Sequence, residues 1–113
     1  MKIYHNPRCS KSRQALSILQ ENGIDTEIIE YLKEPITKDI IKDLIKKLNI
    51  LPKELIRTNE EIWKTKGRNQ GLDGDEIIEL MVNHPRLIER PIVVNGKKAI
   101  IGRPPEDVLK IIN

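Results

Sequence analysis

Cys9 is the only cysteine in the chain, and it stands in the stretch HNPRCSKSR with Arg8 before it and Lys11 and Arg13 after it. A thiol attacks as its thiolate, so basic neighbours that stabilise the anion favour a nucleophile near neutral pH. Placement adds to this. The turn signal Asn6-Pro7 precedes the cysteine and helical apolar spacing begins just after it, which puts Cys9 in a first helical turn, where unpaired backbone N–H groups and the positive end of the dipole favour negative charge. Thiols at such positions titrate at roughly 3.5–7.5 instead of about 8.5. The same N–H groups bind oxyanions, so nucleophile and anion site coincide. The competing reading is a buried, inert thiol, since cysteine is among the most buried residue types. Arg8, Ser10 and Lys11 as neighbours weigh against it.

The spacing also excludes chemistries. A phosphate-cradling C-x5-R signature would need arginine where Ala15 stands. One cysteine forms no internal disulfide, and with His5 and His84 it falls short of a structural zinc site, so no metal is expected. Ser12 makes the motif C-x-x-S, and a hydroxyl cannot resolve a mixed disulfide. Redox chemistry here must borrow its second thiol from another molecule. Ser12 either hydrogen-bonds the thiolate or is an ordinary early-helix serine, and both readings stay open. His5 is either a group that tunes the thiol or a satisfied, hydrogen-bonded histidine, with the second preferred. His84 reads as a helix-end residue and Trp63 as packing for the middle of the chain.

The elements that must position Cys9 follow from the pattern. KIYH, residues 2–5, reads as a short strand, and Ala15, Leu16, Ile18 and Leu19 give helical spacing from Ser10 to Glu21 with Gly23 as a stop. TEIIEY, residues 26–31, reads as a second strand, and a crossover of this length makes the pair parallel. Thr37 caps a helix striped by Ile40, Ile41, Leu44, Ile45 and Leu48, Pro52 starts a short helix through Ile56, and Asn59 with two glutamates marks a further start. Asp73 and Glu76 form a capping box for a helix that should end before Pro85. The intervening KGRNQGLDGD reads as a mobile loop, not a phosphate cradle, because no strand precedes it and no GK[ST] follows. PIVV and KAII flank Asn95-Gly96 as a hairpin, and a closing α-helix carries Val108, Leu109, Ile111 and Ile112. The expectation is an α/β, thioredoxin-like mixed sheet built as β-α-β, helical insert, β-hairpin and C-terminal α. It makes one domain over residues 1–113, with the helical insertion at about 37–84.

Bulk properties bound the partners. A chain of 113 residues with 38% hydrophobic content fits one modest core. The net charge of +3 is mild, Tyr4, Tyr31 and Trp63 are the only aromatics, and no dense basic run is present, so nucleic acid is not an expected partner. The basic balance reads as attraction for small anions. No segment reaches the roughly 20 apolar residues of a membrane span and the N-terminus lacks a signal-peptide stretch, so a cytoplasmic protein with no membrane association is expected.

HNPRCSKSR, the LIR of 55–57, the ERPIVVNG of 89–96 and the IGRPPEDVL of 101–109 together resemble the glutaredoxin-coupled arsenate reductases, and most closely their short bacterial members. The resemblance spans nearly the whole chain and keeps the motif order. It implies that Cys9 is the nucleophile toward arsenate and that Arg57, Arg90 and Arg103 bind the oxyanion. It further implies that glutathione is co-substrate, with glutaredoxin completing reduction to arsenite, and that no cofactor stays bound. Always-protonated guanidiniums suit a site where a dianion meets a thiolate. X-Pro bonds default to trans, but the resemblance implies a cis bond at Arg90-Pro91 that aims Arg90 toward Cys9. His5, Ser12 and Pro91 are supporting residues on this reading, and a monomer is expected. Two alternatives stand beside it: a non-enzymatic redox regulator that binds RNA polymerase, and a glutathione-linked oxidoreductase without arsenate preference.

Overall fold

The structure is a computed structural model and describes residues 1–112. The chain divides into two compact units, one formed by Met1–Glu34 with the segment from Arg90 onward, the other by Pro35–Glu89.

The first unit holds a mixed sheet. Strand β1 (Lys2–Tyr4) leads through the Asn6-Pro7 turn into helix α1 (Ser10–Glu21), and strand β2 (Glu27–Ile29) returns parallel to β1. Strands β3 (Ile92–Asn95) and β4 (Lys98–Ile101) form the hairpin, turned at Gly96 with a φ of 62°, and β3 runs antiparallel to β1. A φ of that sign carries no steric penalty for glycine. Among the described residues the strand order is β2-β1-β3-β4. Ile3 of β1 pairs with Val93 of β3, and these two meet Ala15 and Leu19 of α1 together with Val108 and Ile111 in one buried cluster. The apolar stripe of α1 thus fixes that helix, and the cysteine loop at its start, onto the central strands.

Two expectations are corrected by the first unit. The second strand covers only Glu27–Ile29 of the expected 26–31, because Tyr31 begins a turn in which the N–H groups of Lys33 and Glu34 bond the Glu30 carbonyl. The closing segment is a 3-10 helix, Pro105–Ile111, instead of an α-helix. Pro104 and Pro105 supply no N–H donor at its start. Its Asp107 N–H closes a tight turn on the Pro104 carbonyl at 3.0 Å, and Asn95 Nδ2 donates to the Ile111 carbonyl at 2.7 Å.

The second unit is helical. It comprises α2 (Lys38–Leu48), a 3-10 turn (Pro52–Leu55), α3 (Glu61–Lys66), α4 (Gly74–Asn83) and a second 3-10 turn (Pro85–Leu87). Thr37 caps α2 through Oγ1, which accepts from the Ile40 N–H, and the Asp73–Glu76 capping box is formed in both directions. Helix α3 starts one residue later than the Asn59 signal suggests, with Glu60 at its cap and no side-chain cap bond. Trp63 is buried, and Gly67 packs so closely on its ring that a Cβ there would overlap it. Residues 67–71 form turns between α3 and α4.

Candidate active site

Cys9 occupies the N-cap of α1 in extended conformation, with φ −93° and ψ 121°. Two local bonds set it there: its N–H donates to the Asn6 carbonyl and its own carbonyl accepts from the Arg13 N–H, both at 3.0 Å. Asn6 shapes the loop a second time, since its Oδ1 accepts from the Arg8 N–H at 3.0 Å. This is the way an asparagine side chain closes a turn on backbone two residues ahead. The Asn-Pro turn signal locates Asn6 in the sequence but does not mark it as the residue that sets the cysteine's backbone.

The sulfur is half-buried. Burial works to raise its pKa, yet the backbone N–H of Ser12, the hydrogen bond and charge of Arg90, and the N–H of Lys11 outweigh that, leaving the thiol below its ordinary value. Arg103 adds a contact, with Nη2 3.6 Å from Sγ. Its Nε donates to the Arg90 carbonyl at 2.7 Å, so one guanidinium braces the loop and reaches the thiol with separate nitrogens. The peptide bond before Pro91 is cis, as the resemblance implies, and so is the bond before Pro104, which the sequence reading did not anticipate. The guanidiniums that act on the sulfur are those of Arg90 and Arg103, and the local basic side chains emphasised from sequence are not among the groups that lower its pKa. Arg13 instead donates through Nη1 to the Pro7 carbonyl at 2.8 Å.

Behind the loop lies a buried polar group. Ser12 is fully buried and its hydroxyl accepts from the Asn6 N–H at 3.1 Å while sharing a hydrogen bond with His5 Nδ1. The hydroxyl thus bonds the loop backbone and His5, and the contribution of Ser12 to the thiolate comes from its N–H. His5 is buried, and its pKa lies below the ordinary imidazole value because burial, with the charge of Arg13, outweighs the attraction of Glu30. It is neutral at neutral pH.

Arg57 belongs to the second unit, just beyond the Pro52–Leu55 turn. Its N–H donates to the Leu87 carbonyl at 2.7 Å beside the antiparallel bridge Ile56–Ile88, and its Nη1 is buried with no hydrogen-bond partner among the described residues. The first unit thus brings together Cys9, Arg90, Arg103, Pro91, Ser12 and His5. Among the described residues, no group of His, Cys, Asp and Glu is arranged to hold a metal ion, and no helix is long and apolar enough to cross a membrane.

A strand that ends in a cysteine loop at a helix N-terminus, within a mixed sheet that carries a cis-proline turn, defines a thioredoxin-like α/β protein with an activated thiol. Comparison with known proteins gives the family. The profile of the ArsC family matches residues 4–111. The chain is 46% identical to the uncharacterized protein YfgD of Escherichia coli K12 over 99% of its own length and 96% of that protein's. It is 41% identical to the arsenate reductase of Neisseria meningitidis serogroup A, over 99% and 97% of the two chains. The solved arsenate reductase of Vibrio cholerae superposes with a TM-score of 0.92 at 42% identity, covering 99% of this chain and 98% of that one. The chain belongs to the ArsC family.

Proposed function

We propose that this protein reduces arsenate to arsenite, with Cys9 as its single nucleophile and glutathione and glutaredoxin as the source of electrons. The observation that carries the proposal is the convergence of donors on one sulfur: two backbone N–H groups of α1, Arg90, and Arg103 Nη2 at 3.6 Å. Donors that hold a thiolate in the free protein can also hold the oxygens of an arsenate brought against it. They offset the negative charge that accumulates as the two meet.

The steps follow from the residue inventory. The Cys9 thiolate attacks arsenic, forming an S–As bond as one arsenate oxygen leaves as water after protonation. A glutathione thiolate then attacks the Cys9 sulfur, the S–As bond breaks, and its electron pair stays on arsenic, which departs as arsenite. Cys9 is left as a mixed disulfide with glutathione. No second cysteine exists in the chain to resolve it, so an external thiol must, and glutaredoxin is assigned that role by the family resemblance. Two thiols are oxidised to one disulfide as arsenic gains two electrons. Arg57 is assigned to the oxyanion by resemblance alone.

The test is arsenate-dependent NADPH oxidation with glutathione, glutaredoxin and glutathione reductase. Turnover absent in Cys9→Ser supports the reading. Turnover of the wild type no higher than that of Cys9→Ser overturns it, and turnover with disulfide substrates alone would point to a general glutathione-linked oxidoreductase.

A further inference from the structure

A cleft of about 270 Å³ opens in the first unit beside the cysteine loop, and nothing in the chemistry above uses it. Its walls are His5, Asn6, Pro7 and Arg8 on one side and Glu30, Leu32 and Lys33, just past β2, on the other. The lining is chiefly apolar, and Leu32 is a large hydrophobic side chain left 43% exposed at its edge. Three charges stand in it: Arg8, Lys33 and Glu30. Lys33 Nζ pairs with Glu30 at 3.4 Å, and both side chains are open to water, so the pair is easily exchanged for ligand contacts. Arg8 is exposed and forms no ion pair among the described residues.

We infer that this cleft binds the thiol co-substrate, a small peptide with two carboxylates and one ammonium, by pairing Arg8 and Lys33 with the carboxylates and Glu30 with the ammonium. The inference rests on the proposed use of glutathione, whose charges at neutral pH match that set in number and sign. The cleft shares its wall with the nucleophile's own loop, since Arg8 immediately precedes Cys9 and Asn6 holds the Cys9 N–H. Cys9 does not itself line the cleft, so a tripeptide lying on Pro7 and Leu32 must extend past Arg8 for its central thiol to meet the sulfur, while arsenate occupies the side held by Arg90 and Arg103. Binding and chemistry then use separate cations. Glutathione is positioned before it attacks, which is where rate is gained over a free thiol.

The experiment needs no arsenate. Purified protein is mixed with glutathione disulfide, and formation of the Cys9–glutathione mixed disulfide, with one glutathione thiolate released per event, is followed by intact mass. Hydroxyethyl disulfide, which has no charged groups, serves as the comparison. The readout is the ratio of the two second-order rates at about 0.5 M salt, where the Debye length is only a few ångströms, and any change in the sulfur's own reactivity cancels in that ratio. Wild type is expected to saturate with glutathione disulfide. The ratio is expected to fall roughly tenfold in Arg8→Glu/Lys33→Glu, as for two partly exposed ion pairs turned to repulsion, and to stay unchanged in Lys97→Glu, whose charge sits in the hairpin turn. A linear, unsaturated dependence in the wild type, or a ratio equal in wild type and the double variant, overturns the inference. Either result leaves arsenate turnover to be judged on its own assay.

Discussion

At the scale of single residues, the sulfur and its donors make the sharpest expectations. Because the Cys9 pKa is lowered, the midpoint of its alkylation rate against pH should lie below that of a free thiol. Arg90→Ala should move that midpoint upward, since it removes a hydrogen bond and a charge that favour the thiolate. Rates of iodoacetamide labelling against pH measure both. Arg103→Lys keeps the charge but offers one ammonium where separate nitrogens contact the Arg90 carbonyl and the sulfur. Losing one such charged hydrogen bond should lower kcat/KM for arsenate by about tenfold or more. His5 has its folded pKa below the unfolded value, so its contribution to stability is present above the unfolded pKa and is lost as pH falls through the folded one. Urea unfolding between pH 7.5 and 5 should therefore show a loss of stability that is smaller in His5→Gln.

At the scale of elements, caps and close approaches set the magnitudes. Thr37→Ala removes the Oγ1 acceptor for the Ile40 N–H and should cost about 1 kcal/mol, read from urea midpoints. Gly102 is a more revealing position, because a Cβ there would stand 2.9 Å from Pro91 and 3.0 Å from Val108. Gly102→Ala should cost about 1–3 kcal/mol as the turn and the closing helix move apart. It should also raise the Cys9 labelling midpoint by disturbing the backbone that carries Arg90. Most elements were legible because their signals are local: the Thr37 cap, the Asp73–Glu76 box and the Asn95-Gly96 turn each act within four residues. The closing 3-10 helix was not, because apolar spacing at Val108, Leu109, Ile111 and Ile112 fits either helix type. Paired prolines and the bond from Asn95 then decide. The site divides the same way. Cys9 at a helix start could be read directly, whereas the bonding of Arg90 and Arg103 to it depends on strand pairing that brings distant segments together.

At the scale of the whole molecule, charge is unevenly placed. The first unit has ten Lys and Arg against seven Asp and Glu, and the second has ten of each, so the entire surplus of positive charge belongs to the unit that carries Cys9. Anionic reagents should therefore label Cys9 faster, relative to neutral ones, than they label a free thiol. The ratio of iodoacetate to iodoacetamide rates should exceed that of free cysteine and decline as salt rises from 0.02 to about 0.5 M, where screening becomes short-ranged. The same unit is assembled from the two ends of the chain, since β1 and α1 precede residues 35–89 while β3, β4, Arg90 and Arg103 follow them. Synthesis proceeds from the N-terminus, so the cysteine leaves the ribosome long before Arg90, whose hydrogen bond and charge lower its pKa. A nascent or prematurely terminated polypeptide that stops short of Arg90 lacks a principal source of that lowering, and full reactivity waits until the segment carrying Arg90 and Arg103 has been made.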